Sequence, residues 1–127
     1  MEQVEKLYGG GARNFLFLSV PTIQKTPSVM LQSSNTQVKE GEAVARYNGL
    51  LGRGVEAFKG NNSGVMTWVF DTTVAFETAI KDPKSFGAKD ASCYNKDGIT
   101  CLWFNDYHPG QAIHKLVAQG VAALVGL

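Results

Sequence analysis

A short stretch near the end of the chain, Leu102–Pro109, contains the side chains best suited to chemistry. Its apolar residues are followed by Asn105 and Asp106, and His108 comes two residues after the aspartate. A histidine whose ring is held by a neighbouring polar side chain can act as a general base near neutral pH. In a second interpretation, His108 and Asp106 merely cap the helix predicted to follow. The spacing alone favours this second interpretation.

Two cysteines, Cys93 and Cys101, lie in a stretch rich in Asp, Asn, Ser and Gly. We predict a disulfide between them, which would stabilise the fold by about 2–3 kcal/mol in the chain-entropy model. A disulfide favours an oxidising, extracellular compartment. We predict no metal site, because the two cysteines have only His108 and His114 as possible further ligands.

Composition restricts the classes of partner. The chain has 127 residues, enough for one domain, and 12 basic and 11 acidic residues give a net charge of +1. This balance predicts no binding to nucleic acid or to an anionic membrane, and no apolar run approaches the ~20 residues of a membrane span. Asn61 opens an Asn-Asn-Ser glycosylation sequon in a predicted loop, which is compatible with secretion. No signal peptide is visible in Met1–Glu5, so the chain is cytosolic, or its signal was removed or lay upstream.

The elements that must position these residues follow from hydrophobic periodicity. Two continuous apolar runs, Phe15–Val20 and Val65–Phe70, predict strands of a parallel sheet, the first buried on both faces. Helices are predicted over 2–8, 38–59, 74–80 and 109–125, with loops over 22–37 and 86–100. Either Thr72 or Thr73 is expected to cap the third helix.

Asp71 directly follows the second predicted strand and is a further candidate site residue. At that end of a strand it could be a ligand or a base. An acidic residue is also favourable at a helix N-terminus, and this interpretation is at least as good. Only two strands are convincing, although Phe15–Val20 has the apolar character of a central strand. We therefore predict that the chain is part of a larger α/β fold.

Several stretches, in order along nearly the whole chain, resemble GDSL-type SGNH hydrolases, above all the fungal carbohydrate-esterase and acylhydrolase branch. The matching stretches are Gly11–Leu18, Tyr47-Asn48 with Leu51, Val69–Thr72, Cys93–Asn95 with Cys101, and Trp103–Pro109. The resemblance implies a flavodoxin-like three-layer sandwich, of which residues 1–127 form a single domain corresponding to the C-terminal half. It implies a secreted protein and no cofactor.

The resemblance also implies roles for the closing motif. His108 corresponds to the general base that activates a serine. The family commonly has an aspartate three residues before this histidine, where this chain has Asn105. Asp106 is therefore the expected orienting residue, with Asn105 and Asp71 as further candidates.

Other parts of the family's catalytic group are missing from the sequence. There is no Gly-Asp-Ser motif for the nucleophile and no Gly-x-Asn-Asp motif for the oxyanion hole. Ser19 lies in a predicted strand and Ser63 in a predicted turn, and neither is a convincing substitute. Because acyl transfer depends on these groups acting together, the chain alone is expected to be inactive.

Two functional hypotheses from different classes remain. The chain is an esterase portion that keeps the base but lacks the nucleophile, or it is a small non-enzymatic protein that acts through its surface on a glycan or a receptor, such as a taste or immune receptor. The strand Phe15–Val20 should have one unpaired edge. We therefore also predict a homodimer in which two such strands pair antiparallel across a two-fold axis.

Overall fold

The computed structural model describes all residues from Met1 to Leu127 and has an α/β architecture with two strands and five helices. In chain order the elements are α1 (Glu2–Gly9), β1 (Asn14–Leu18), α2 (Pro27–Met30), α3 (Ser34–Asn61), β2 (Met66–Phe70), α4 (Thr72–Lys81) and α5 (Gln111–Val125). Single turns of 3₁₀ helix occur at Ile23–Lys25 and Pro83–Phe86. No helix is both long enough and apolar enough to cross a lipid bilayer.

The two strands pair in parallel, as the sequence predicts. Phe15 lies beside Thr67 and Leu18 beside Phe70 in the register of the sheet. Since side chains alternate between the faces of a strand, Phe15 and Phe17 point to one face and Leu16 and Leu18 to the other. The sheet has only these two strands, so each strand has one unpaired edge.

Helices lie on both faces of this small sheet. On one face the Phe58 ring of α3 meets the Phe15 ring edge-on, with centroids 5.1 Å apart. On the other face α5 lies so close to β2 that a Cβ added to Gly120 would meet the Phe70 ring. The layer order is helix, sheet, helix, which is compatible with a truncated three-layer sandwich.

The prediction that β1 is buried on both faces is wrong. Only Phe15 is buried, whereas Leu16 and Leu18 are 40% and 50% exposed. The apolar run does form a strand, but α5 packs mainly on β2, and the corresponding face of β1 is only partly covered. The local sequence shows that both faces of the strand are apolar, but it could not show that one of them is only partly covered.

Three local predictions also need correction. The stretch predicted as a loop over 22–37 contains a 3₁₀ turn, α2 and the start of α3, because Thr26 and Ser33 act as helix caps there. Asn61 is not in a loop but is the exposed last residue of α3. The N-cap of α4 is Asp71, not Thr72 or Thr73.

The main buried cluster lies between α4, α5 and the segment that precedes α5. Its members are Phe76, Ala79, Ala88, Leu102, Trp103 and Ile113. On α5, Ile113 is fully buried, Leu116, Val117 and Val121 are half-buried, and Leu124 is exposed. The largest buried cluster therefore lies beneath the segment that carries His108, while Phe15, Val55 and Phe58 are buried beneath one face of β1.

Candidate active-site loop

Trp103 anchors the irregular segment between Gly87 and Gly110, which we call the histidine loop. The Trp103 side chain is fully buried and its indole N–H donates to the carbonyl of Ala91 over 2.8 Å. The backbone of Trp103 forms isolated β-bridges with Tyr94 and with Pro109. One buried residue thus ties the start, the middle and the end of the loop together, which limits how far the loop can move.

Cys93 and Cys101 form a disulfide within this loop, with their Cα atoms 5.4 Å apart. The predicted bond is thus present in the structure. It closes the stretch just before Leu102 and Trp103, so the covalent link and the buried indole restrain the same segment. The loop keeps its shape without any regular secondary structure.

Two aspartates support the turns that flank the disulfide. The Asp90 carboxylate accepts from the backbone N–H groups of Ser92 and Cys93. The Asp97 carboxylate accepts from those of Ile99 and Thr100 in the same way. These backbone N–H donors hold the pKa of each carboxyl below its ordinary value of 3.8. The turns are therefore best formed when both side chains are ionised.

Asn105 holds the candidate base. Its Oδ1 accepts from the backbone N–H groups of Tyr107 and His108 at 2.9 and 2.7 Å, and lies 3.1 Å from His108 Nδ1. Because the two backbone groups can only donate, the atom facing the ring must be the amide oxygen. In neutral His108 the proton then sits on Nδ1, and Nε2 keeps its lone pair.

The free ring nitrogen of His108 has no hydrogen-bond partner in the chain, and the side chain is exposed. An imidazole held in this tautomer can accept a proton at Nε2. The arrangement has the form of the base and orienting residue of a hydrolytic triad, with an amide in the place of the usual carboxylate.

Asp106 is placed differently from its predicted role. Its backbone carbonyl accepts from the Ser28 N–H at 2.8 Å, which ties the histidine loop to the start of α2. Its carboxylate makes no hydrogen bond to His108. The structure thus brings His108 together with Asn105, the residue three positions earlier, and not with Asp106.

The interpretation of His108 and Asp106 as helix caps does not fit the structure. The N-cap of α5 is Gly110, and no side chain hydrogen-bonds to this helix end. The helix begins at Gln111, two residues later than Pro109. A Cβ on Gly110 would lie 2.8 Å from the Gly98 carbonyl oxygen and 3.0 Å from that of Cys101. Glycine is therefore needed there for close backbone packing.

Asp71 belongs to a separate polar cluster at the carboxyl ends of the two strands. Its Oδ1 accepts from the Thr73 N–H at 3.0 Å and from the Ser19 hydroxyl at 3.2 Å. Buried Ser19 in turn accepts from the Thr72 N–H at 2.9 Å. These bonds join the end of β1 to the start of α4, so Asp71 has a structural role in helix capping.

Sequence reasoning did not identify the part played by Asn48. From the middle of α3, its amide donates to the Val20 carbonyl and accepts from the Val20 N–H, both at 2.8 Å. The side chain thereby satisfies both backbone groups just beyond β1, as another strand would. The signal in the sequence that could have suggested this contact is an asparagine in the middle of a long predicted helix.

No hydroxyl of the chain hydrogen-bonds to the His108 ring. Ser19 is engaged at the strand ends, and Ser63 accepts through its backbone carbonyl from the Tyr8 hydroxyl at 3.3 Å. His114 is exposed on α5. The chain presents a positioned imidazole without an adjacent alcohol.

The largest groove of the molecule, about 800 Å³, lies beside the disulfide and not at His108. It is open to solvent, and its surface is about equally polar and apolar. Its lining includes Lys84, Lys89, Tyr94, Asn95 and Thr100. The groove shares the histidine loop with the candidate base but contains none of the residues around its ring.

Comparison with known proteins relates the chain to esterases. No protein-family model matches the chain. Over 121 residues, or 94% of the chain, it is 53% identical to an acetylesterase of Thermothelomyces thermophilus. Over 93% of the chain it is 23% identical to a GDSL esterase/lipase of Arabidopsis thaliana.

The chain is similar to one portion of a GDSL-type esterase. It spans about 40% of the length of the curated relatives it matches, 40% for the acetylesterase and 39% for the Arabidopsis protein. The resemblance drawn from the sequence motifs is therefore confirmed. The structure is consistent with a fragment of a larger fold. Its sheet has only two strands, these strands expose apolar side chains, and Nε2 of His108 has no partner.

Proposed function

We propose that this chain is the base-bearing portion of a GDSL-type ester hydrolase and that it is catalytically incomplete by itself. One observation carries the proposal: Asn105 holds the His108 ring with Nε2 free, and no hydroxyl of the chain meets that nitrogen. The similarity to an acetylesterase supports acetyl esters as the substrate class. A separate polypeptide segment would supply the serine and the oxyanion-hole donors.

The proposed chemistry is a two-step acyl transfer. His108 Nε2 takes the proton from the serine hydroxyl as the serine oxygen attacks the ester carbonyl carbon. It returns that proton to the leaving alcohol as the carbon–oxygen bond of the ester breaks. In the second step, water gives a proton to Nε2 while attacking the acyl-serine, and the serine recovers that proton as acetic acid leaves and ionises to acetate in solution. His108 thus ends each cycle neutral.

Asn105 is the proposed positioning residue, since it determines which ring nitrogen carries the proton. A neutral amide can orient the ring but adds no charge to stabilise the imidazolium that forms in each step. Asp106 is the alternative that the sequence favoured, and its carboxylate is only one residue away. The two assignments can be separated directly.

Hydrolysis of p-nitrophenyl acetate tests the proposed function. We expect the chain alone to match its His108→Ala variant, with no turnover above buffer. Assembled with the remainder of the Thermothelomyces acetylesterase, the chain should give turnover that His108→Ala abolishes. Turnover by the chain alone that depends on His108 would contradict the proposed incompleteness.

The imidazole NMR signals of ¹⁵N-labelled protein test the positioning role without any need for activity. Asn105→Ala should remove the preference for a proton on Nδ1, because it removes the acceptor 3.1 Å from that atom. Asp106→Ala is the matched control and should leave the tautomer unchanged. The reverse result would assign the orienting role to Asp106.

A second candidate function is recognition of a glycan through the groove beside the disulfide. The observation in its favour is that the largest groove lies away from His108 and presents one aromatic ring together with amide, hydroxyl and ammonium groups. Titration with chitin and xylan oligosaccharides, followed by NMR, would test it. Shifts confined to Tyr94 and Asn95 would favour this function, and no shifts would exclude it for these sugars.

We also infer that the protein works outside the cytosol. The Cys93–Cys101 disulfide supports this inference, because such bonds persist in oxidising compartments. Detection of the oxidised pair in culture medium, by mass spectrometry of the non-reduced protein, is the measurement. Finding the protein only in cell lysate with both thiols free would contradict it.

A further inference from the structure

Strand β1 has three features that are unusual on the surface of a folded protein. The edge of β1 away from β2 has no strand beside it. On the face shared with α5, Leu16 and Leu18 are exposed. The strand itself, Asn14–Leu18, contains no charged residue and no proline, the usual means of protecting an exposed edge.

The opposite face of β1 carries an apolar groove of about 370 Å³. Phe17 lines it, and all six lining residues are hydrophobic, namely Met1, Val4, Phe17, Tyr47, Leu50 and Leu51. Tyr47 and Leu50 are more than half exposed. The groove, the open edge and the Leu16–Leu18 face meet along one strand, and we call them together the β1 surface.

We propose that the β1 surface is the docking site for a separate segment of a GDSL-type esterase, which pairs a strand with β1 and packs helices over both of its faces. The proposal rests on the proposed function, because the docked segment is the one that would supply the serine. The curated relatives contain about 60% of chain length that this protein does not match. A segment of that size can supply both the strand and the covering layers.

A second copy of this chain fits the β1 surface less well. Antiparallel pairing of two β1 strands across a two-fold axis keeps corresponding faces on the same side. It would join the edges, but each copy's α5 covers β2 and not β1. Leu16 and Leu18 of both copies would stay partly exposed to solvent. The homodimer stays a prediction and is the competing outcome of the test.

Co-expression tests the proposal. The partner is a tagged Thermothelomyces acetylesterase from which the 121 matched residues have been deleted. We expect this chain to co-purify with it, and Leu16→Lys with Leu18→Lys to reduce the recovered chain at least about tenfold. The matched control is Leu31→Lys with Val38→Lys, two exposed apolar residues outside the β1 surface, which should leave recovery unchanged.

Three results would overturn the proposal. One is a complete absence of co-purification with a soluble partner. Another is equal recovery of the Leu16–Leu18 variant and the control. The third is a homodimer of this chain alone that the Leu16 and Leu18 lysines dissociate, since that result would assign the surface to a second copy.

A chimaera covers the case in which the deleted esterase does not fold. In it, the matched residues of the acetylesterase are replaced by this chain. The β1 amides should exchange hydrogen at least about tenfold more slowly there than in the isolated chain. Equal exchange rates would overturn the proposal. His108→Ala in the chimaera should keep the protection and lose hydrolysis, so a failure of docking and a failure of the proposed catalysis give different results.

Discussion

The histidine loop and strand β1 are built in opposite ways. The loop has no regular secondary structure, yet it contains fully buried Leu102 and Trp103 and a disulfide. Strand β1 has regular hydrogen bonds to β2, yet two of its five side chains are large, apolar and at least 40% exposed. Regular backbone pairing therefore does not indicate where this molecule is best packed.

This difference bears on function. The part that holds the candidate base obtains its shape from its own disulfide and turns and from packing against α4 and α5 of this chain, so it can form without the rest of an esterase. The part that would connect it to a nucleophile is the one left uncovered. We expect perturbations of the histidine loop to destabilise the isolated chain more than perturbations of β1.

Trp103→Ala should have the largest effect. Removing a fully buried indole costs about 3–5 kcal/mol of unfolding free energy, because a cavity replaces the packed ring. Trp68→Ala in β2 is the control, since this tryptophan is only half-buried, and its loss should be smaller. Urea denaturation measures both. Equal losses would show that the sheet is packed as well as the loop.

Replacing Cys93 and Cys101 together by serine should have the next largest effect. Loss of the cross-link frees the unfolded chain and should lower stability by about 2–3 kcal/mol. Denaturation of this variant and of the reduced wild-type protein should coincide. A stable variant with unchanged imidazole NMR signals would mean that Trp103 alone shapes the loop.

Gly110→Ala should destabilise by about 1–3 kcal/mol, because the new Cβ would press on three backbone carbonyl oxygens. Gly52→Ala is the matched control. It lies within α3 with nothing within 4 Å of the added carbon and should stabilise by up to about 1 kcal/mol. The opposite signs can be read from thermal unfolding. Two changes of the same sign would contradict the close packing at Gly110.

Leu16→Lys in the isolated chain should have the smallest effect, within about 0.5 kcal/mol, because the side chain is already partly in water. Urea denaturation against wild type is the measurement. A loss as large as that of Gly110→Ala would mean that β1 is covered in solution, and the contrast between the two regions would disappear.

Much of the fold was predictable from local patterns. The two apolar runs gave the parallel pair, and the periodicity of α3 and α5 placed both helices with small errors at their ends. Thr26 and Ser33, which start helices inside a stretch predicted as a loop, were overlooked because short caps among polar residues resemble turns. The resemblance of Trp103–Pro109 to GDSL-type hydrolases identified the loop, and the similarity to two esterases agrees.

The site was predictable in its residue types but not in its contacts. The sequence placed Asn105, Asp106 and His108 together, but it could not decide which of the two side chains faces the ring. That depends on a turn in which the Asn105 oxygen also accepts two backbone N–H groups. The capping role of Asp71 and its bond to Ser19 depend on two strand ends that are 52 residues apart in sequence.

By itself the sequence determined both strands, the longer helices, the cysteine pair and the similarity to esterases, because these depend on side-chain type and short-range spacing. Only the tertiary structure decided that Asn105 holds His108, that no alcohol of the chain reaches the ring, and that β1 stays uncovered. The physical reason is that orientation and burial depend on what lies across the fold. The residues next to a strand in sequence do not show whether another element packs on its faces.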